Sequence, residues 1–257
     1  MRLSCCAYSY RQALQAGSMS LEQFVTTCRD LGLTGVELTS YYFPSTDRSY
    51  LNRLKRHCHA SGISVSGCAV GTDFAASDEA VRAKHLETTL AWLEHCVALG
   101  APTLRVFAGY VRPGEDAQAA RRHVVECLQT CAPTAEACGV VLALENHGGL
   151  TATPEQTVAL LDAVDHDWVC LNLDCGNFGG DFYAGFEQCA PYAVACHAKV
   201  HAQPEPSGLR PEVDYRRVRR ILEEAGYRGW LAIEYEEEAP AESGVPSFAA
   251  SLQAALN

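Results

Sequence analysis

The run Val140-Val141-Leu142-Ala143-Leu144-Glu145-Asn146-His147-Gly148 decides how this chain is read. Five apolar residues stop abruptly at a carboxylate, and Cys138-Gly139 stands just before them. A Gly past the end of an amphipathic helix supplies the left-handed residue that closes it. A short, continuous apolar run is what a parallel strand covered on both faces requires. The same cadence of helix, Gly and strand recurs along the chain. Leu31-Gly32 precedes Gly35-Val36-Glu37-Leu38, and Ser61-Gly62 precedes Ile63-Ser64-Val65. Leu99-Gly100 precedes Thr103-Leu104-Arg105-Val106-Phe107, and Ala225-Gly226 precedes Trp230-Leu231-Ala232-Ile233.

Eight strands are predicted, near 3–8, 35–39, 63–69, 103–108, 140–145, 169–174, 193–199 and 230–235. Helical spacing places Leu86, Leu90, Leu93 and Val97 on one face, and Val124, Leu128, Cys131 and Ala135 on another. Ser20 to Gln23 and Thr153 to Gln156 have capping-box spacing, and Asp214 is the expected N-cap of the helix carrying Val218, Ile221 and Leu222. The helical signal is weakest around 181–190 and 242–256. Eight strands alternating with helices, without a linker or a break in composition, predict an α/β fold: one (β/α)8 TIM barrel, a single domain over 1–257. An open doubly wound sheet is the competing arrangement, but no glycine-rich phosphate loop opens any helix.

Composition bounds the function. The 257 residues are 48% hydrophobic and 20% charged, which excludes disordered, collagen-like and coiled-coil chains. A net charge of −11 repels phosphate backbones and argues against a nucleic-acid partner. No window approaches ~20 apolar residues, so no membrane span is expected. Met1 leads straight into strand-like sequence without a signal-peptide pattern, and a soluble, cytoplasmic protein is expected. The thirteen Cys are scattered from Cys5 to Cys196 without a C-x-x-C pair, as reduced thiols filling small apolar sites would be.

In a barrel the chemistry lies at the C-terminal strand ends. Four successive strands end there in Glu145, Asp174 (Leu171-Asn172-Leu173-Asp174-Cys175-Gly176-Asn177), His197 (Cys196-His197-Ala198-Lys199) and Glu234 (Ala232-Ile233-Glu234-Tyr235). A single carboxylate at such a position is ordinarily a helix cap or an ion-pair partner. Capping does not explain four neighbouring strands in a row, whereas ligation of one divalent ion does. Oxygen-rich donors favour Mn2+, with Mg2+, Co2+ or Zn2+ as alternatives. Such an ion can polarise a hydroxy-carbonyl compound, while Glu145 and Glu234 exchange protons with the adjacent carbon. Epimerisation, isomerisation and dehydration all follow from that start.

These residues resemble the xylose isomerase-like barrel superfamily, specifically the sugar phosphate isomerase/epimerase group with its ketose 3-epimerases, hydroxypyruvate isomerases and inosose dehydratases. The resemblance spans essentially the whole chain. It is carried by Leu144-Glu145-Asn146-His147-Gly148, Leu173-Asp174-Cys175-Gly176-Asn177-Phe178, His197-Ala198-Lys199 and the run from Asp214-Tyr215 to Ile233-Glu234-Tyr235. It implies that Glu145, Asp174, His197 and Glu234 bind the metal and that Glu145 and Glu234 are the acid/base pair. It also implies a small carbohydrate substrate, and a homo-oligomer is compatible with it. Epimerase members carry a His three residues after the strand-six Asp; this chain has Asn177.

Asn177, His147 and Lys199 are the substrate-binding candidates. Arg105 and Glu37 are expected to project into the barrel and pair there, Arg105 in a structural role. Tyr8, Tyr41, Tyr42 and Phe43 are candidates for the pocket wall, and His201 for a solvated loop. His57 and His59, on a helix, point in different directions and are discounted as ligands. The second functional reading is a dehydratase or lyase acting on a keto-sugar or inosose. An endonuclease IV-like phosphodiesterase is disfavoured by the acidic surface. A non-catalytic sugar-binding barrel is disfavoured because all four ligand candidates are present.

Overall fold

In the computed structural model, eight parallel strands close on themselves in chain order. They are β1 (Arg2–Cys6), β2 (Gly35–Thr39), β3 (Ser64–Ala69), β4 (Thr103–Val106), β5 (Val141–Glu145), β6 (Val169–Asp174), β7 (Ala193–Ala198) and β8 (Trp230–Ile233). The structure describes residues 1–204 and 208–256. Eight principal helices cover the outside: Leu21–Asp30, Arg48–Ala60, Glu79–Leu99, Ala117–Cys138, Pro154–Val164, Phe182–Cys189, Tyr215–Glu224 and Ala241–Leu256. This is the (β/α)8 barrel that the helix–Gly–strand cadence predicts. Among the described residues, no helix is long and apolar enough to cross a membrane.

Strand alternation divides the side chains between two environments. Leu142 and Leu144 of β5, Leu171 and Leu173 of β6, and Leu231 and Ile233 of β8 join the apolar layer under the helices. Each such side chain contributes ~2 kcal/mol through burial. Their neighbours Ala143, Glu145, Asn172, Asp174 and Ala232 are buried as well but lie outside that apolar layer, on the alternate face. Small residues low in the barrel and polar residues high in it leave a floor beneath a charged mouth. At the other end, Gly35 is required because Trp230 approaches so closely that a Cβ there would lie 2.6 Å from its ring. The Arg2 guanidinium stacks on that indole at 4.1 Å.

The expected punctuation is largely present. Ser20 and Gln23 form both bonds of a capping box, and Asp214 caps the helix that follows it. Thr153 accepts from the Gln156 amide, with Pro154 opening the helix. The two weakly signalled helices form because each buries an apolar stripe, Phe182, Phe186 and Cys189 in one and Val245, Phe248 and Leu252 in the other.

Three expectations are corrected. Helix Glu79–Leu99 buries Thr89, Trp92, Leu93, Cys96 and Leu99 and leaves Val97 43% exposed. Trp92, the largest side chain on the helix, takes the inner position, packed edge-on against Phe43 at 4.9 Å, and turns the Leu86–Val97 stripe sideways. β1, β4, β7 and β8 stop one or two residues short of their predicted ends, because the chain bends at the mouth. There Ser9 Oγ donates to the Ile233 carbonyl at 2.9 Å and accepts from the Tyr235 amide at 2.9 Å, joining the exits of β1 and β8. Phe43 faces Trp92 and Tyr50 rather than the mouth. All thirteen cysteines are free, and only Cys138 and Cys170 are not fully buried.

Candidate metal centre

Glu145, Asp174, His197 and Glu234 converge at the mouth. One ligand-type atom from each lies within 4.8 Å of all the others, and all four residues are buried. His197 Nδ1 stands 3.7 Å from Glu145 Oε2, 3.7 Å from Asp174 Oδ2 and 3.6 Å from Glu234 Oε2. Those separations exceed hydrogen-bond length. They approach the spacing of two donors sharing one ion, roughly 3–3.6 Å for bonds of about 2.0–2.2 Å.

Each ligand candidate is held by its neighbours. Asp174 is clamped by Asn146, whose Oδ1 accepts from the Asp174 amide at 2.7 Å while its Nδ2 donates to the Asp174 carbonyl at 3.1 Å. Asp174 Oδ1 then accepts from the Gly176 amide at 2.6 Å. Oδ2 is buried without a hydrogen bond and points into the cluster. Its cationic neighbours, Lys199 Nζ at 3.5 Å and His197 Nδ1 at 3.7 Å, lie beyond hydrogen-bond contact, which leaves a buried acceptor for a closer cation. Glu145 faces the Arg105 guanidinium at 3.1 Å and accepts from Asn172 Nδ2 at 3.2 Å and Asn177 Nδ2 at 3.3 Å. Lys199 Nζ lies 3.2 Å from Glu234, 3.5 Å from Asp174 and 2.6 Å from Glu236. It also donates to Asn177 Oδ1 at 3.2 Å. Asn177 therefore links Lys199 to Glu145, accepting from the first and donating to the second.

Burial and charge oppose one another throughout the cluster. Burial pushes Glu145 up to about 8, although Arg105 and His197 pull it down; Glu234 and Asp174 add to the rise. Burial would likewise raise Glu234, but Lys199 and His197 outweigh it and hold that carboxyl well below the usual range. For His197, burial is overcome by Glu37 and Glu234, and the imidazolium is favoured. The buried groups comprise four carboxylates, Glu37, Glu145, Asp174 and Glu234, against two permanent cations, Arg105 and Lys199. Two negative charges remain uncompensated. A divalent ion beside a neutral His197 cancels them, and without it a protonated Glu145 and His197 do the same. The donor set and its charge both fit a hard or borderline divalent ion.

A cavity of about 180 Å³ opens above the cluster, lined by Tyr8, Tyr41, Arg105, Phe107, His147, Glu234 and Glu236. His147 is thus at the pocket wall, its ring 4.4 Å from Phe107, and Tyr110 Oη donates to its carbonyl at 2.8 Å. Tyr42 does not line this cavity. A larger groove of about 630 Å³ lies beside it, between Val200–His201 and helix Ala241–Leu256, and holds none of the ligand-type cluster. His201 borders that groove, half-buried, with Nδ1 3.0 Å from a Glu237 oxygen, rather than freely solvated. His57 bridges two helices through Thr26 and the Glu22 carbonyl, far from the cluster in role and partners.

The expected Arg105–Glu37 pair does not form. Arg105 turns to Glu145, whose carboxylate projects from the adjacent strand, and Glu37 instead meets His197 Nε2 at 3.0 Å. Asn146 and Asn172 carried no expectation of their own. Alternation does place Asn172 beside Asp174 on one face, but nothing in the sequence marks its amide as a partner of Glu145.

Comparison with known proteins places this geometry in context. Residues 25–254 match the family described as xylose isomerase-like TIM barrel. No curated protein matches the chain. Among solved structures, D-psicose 3-epimerase with D-tagatose from Clostridium cellulolyticum H10 superposes with a TM-score of 0.79 at 20% identity, covering 100% of this chain and 97% of that one. The probable 3-DHS dehydratase of petrobactin synthesis from Bacillus anthracis gives 0.79 at 20%, covering 98% and 99%. A xylose isomerase-like TIM barrel protein from Mycobacterium smegmatis, in complex with magnesium, gives 0.72 at 21%, covering 92% and 89%. At these identities the likeness is one of fold.

Proposed function

Because the chain belongs to the xylose isomerase-like TIM barrel family, we propose that it is a divalent-metal-dependent isomerase or epimerase of a small sugar or related hydroxy-carbonyl compound. The observation that carries this reading is the convergence of Glu145, Asp174, His197 and Glu234 from four successive strand ends, with Asp174 Oδ2 buried among them without a hydrogen bond. When bound there, a divalent ion, Mn2+ first among the candidates, would polarise the substrate carbonyl and lower the barrier to losing the neighbouring proton.

The chain's own residues do the rest. Glu145 and Glu234 flank the substrate position, and one takes the proton next to the carbonyl while the other returns a proton to the carbon framework. Return to the opposite face of the same carbon gives the epimer; return to the former carbonyl carbon gives the isomer. Arg105 beside Glu145 and Lys199 beside Glu234 stabilise each carboxylate as it cycles between charge states. Tyr8, Tyr41, Phe107 and His147 wall the cavity, its limited volume suits a molecule of a few carbons, and His147 offers a polar contact to hydroxyl oxygens. Asn177 and Lys199 do not line the cavity and bind one another beside Glu145 and Glu234, and they are proposed as substrate contacts deeper in the site.

Dehydration is the second reading, and Asn177 favours keeping it. The His that epimerases of this group carry at that position is absent, and the fold is as close to the Bacillus anthracis dehydratase as to the Clostridium epimerase. The test is solvent deuterium incorporation, with Mn2+ supplied, screened over ketoses, keto acids and inososes. Glu145→Gln and Glu234→Gln should each abolish incorporation while circular dichroism shows an intact fold. Normal exchange in either variant removes that residue from the acid/base pair.

A further inference from the structure

We propose that Glu37 is a positioning residue: its carboxylate accepts the Nε2–H of His197 and fixes the ring so that Nδ1 faces Glu145, Asp174 and Glu234. The inference rests on reading those residues as a divalent-ion site. His197 has two distinct nitrogens; Asn172 Nδ2 stands 3.3 Å from Nδ1 and 3.4 Å from Nε2, but their carboxylate neighbours differ. Nε2 lies 3.1 and 3.0 Å from the two oxygens of Glu37, while Nδ1 is at 3.6–3.7 Å from three other carboxylates. A neutral imidazole carries one proton, and the nitrogen that donates its lone pair to an ion cannot hold it. The proton belongs on Nε2, and Glu37 is the acceptor placed to receive it.

A β2 side chain thus meets a β7 ring 160 residues away in sequence. On β3 one extra residue, Ser66, stands between Val65, which pairs with Val36, and Gly67, which pairs with Glu37, so the shift sets a glycine beside Glu37. Gly67 pairs with Glu37 on β3, and a Cβ there would come within 3.8 Å of Glu37 Cγ and 2.5 Å of Thr103 Oγ1. The clash would be with Thr103, and Glu37 would meet that Cβ only at ordinary contact distance. A carboxylate serving stability alone would be expected to pair with Arg105, but that guanidinium is turned to Glu145. Among the described residues, the only ion-pair partner of Glu37 is His197.

Two variants separate the hydrogen bond from the charge. Glu37→Gln keeps an acceptor oxygen at nearly the same place, and Glu37→Leu removes it. Mn2+ titration calorimetry on the full chain should show the leucine variant weakened roughly 10–100-fold and the glutamine variant close to the parent. Nitrogen-15 NMR of the metal-free and Mg2+-loaded parent should show a hydrogen-bonded Nε2 proton on His197. A folded leucine variant with parental Mn2+ affinity overturns the role of Glu37, as does a glutamine variant weakened as severely as the leucine one. Should the leucine variant fail to fold, the NMR signal decides, and its absence from the parent overturns the inference. A parent that binds no Mn2+ at all overturns the metal reading instead.

Discussion

Arg105 and Glu145 face each other across the seam between β4 and β5 at 3.1 Å, both side chains almost sealed from water. The register sets this pair. Arg105 lies beside Ala143, so its long side chain reaches up the adjacent strand to the carboxylate two residues further on. The guanidinium also covers the Phe107 ring at 3.9 Å, which holds it in the pocket wall.

Replacing Arg105 by Met should therefore strand a buried acid. Removing one partner of a buried ion pair typically costs about 3–5 kcal/mol, less if the survivor takes up a proton. Glu145 already does so up to about pH 8. The stability gap between parent and Arg105→Met, measured by denaturant unfolding of the metal-free protein, should be small at pH 6 and widen above pH 8. A gap independent of pH would show that Arg105 acts through packing alone.

The metal-free protein should lose stability as pH rises. Glu145 has its folded value raised from 4.5 to about 8, so the folded state holds a proton that the unfolded chain has released. Its contribution is fully present below about 4.5 and disappears as pH passes through about 8. The loss is at most about 1.4 kcal/mol for each pH step between those two values. His197, also raised, acts in the same direction. Thermal melting in the presence of a chelator should fall between pH 6 and 9, and saturating Mn2+ should abolish the fall.

Ion binding should release protons. The metal-free cluster balances its charge by protonating Glu145 and His197, and both sites must give up protons to become ligands. Mn2+ affinity should rise with pH and level off above the Glu145 value of about 8. Calorimetry in two buffers of different ionisation enthalpy counts the protons directly. Fewer than one released at pH 7 would contradict the charge balance.

Asn146→Ala should destabilise the fold and loosen the ion together. The substitution removes both bonds to Asp174 and leaves a buried amide and carbonyl without partners. The expected cost is about 2–4 kcal/mol by denaturant unfolding, with weaker Mn2+ binding at saturation of the folded form. Loss of stability with unchanged Mn2+ affinity would show that Asp174 does not depend on the clamp.

Lys199→Met should move Glu234 upward. Lys199 is the main influence holding that carboxyl low against burial. With it gone, carbon-13 NMR should find Glu234 protonating at distinctly higher pH, and the acid limb of any deuterium-exchange profile should shift the same way. An unmoved Glu234 would assign the effect to His197.

The eight strands and the four ligand candidates were legible in the sequence for one reason. In a parallel barrel every strand exits at the same rim, so a polar residue closing an apolar run is placed on that rim by local pattern alone. Helix Glu79–Leu99 resisted the same treatment: periodicity gave a stripe, but the bulk of Trp92 against Phe43 decided which face turned inward. The partners of the cluster were hidden for a further reason. Glu37 to His197, Arg105 to Glu145 and Lys199 to Glu236 are choices among several opposite charges of similar reach.

The order of residues alone settled the barrel, its polarity and which side chains end its late strands, because turn chemistry and strand alternation act between near neighbours. Which charged group pairs with which was settled in three dimensions. That depends on barrel closure, on the register that sets Arg105 beside Ala143 and on distances across a water-poor interior, where a fraction of an ångström selects one carboxylate over another.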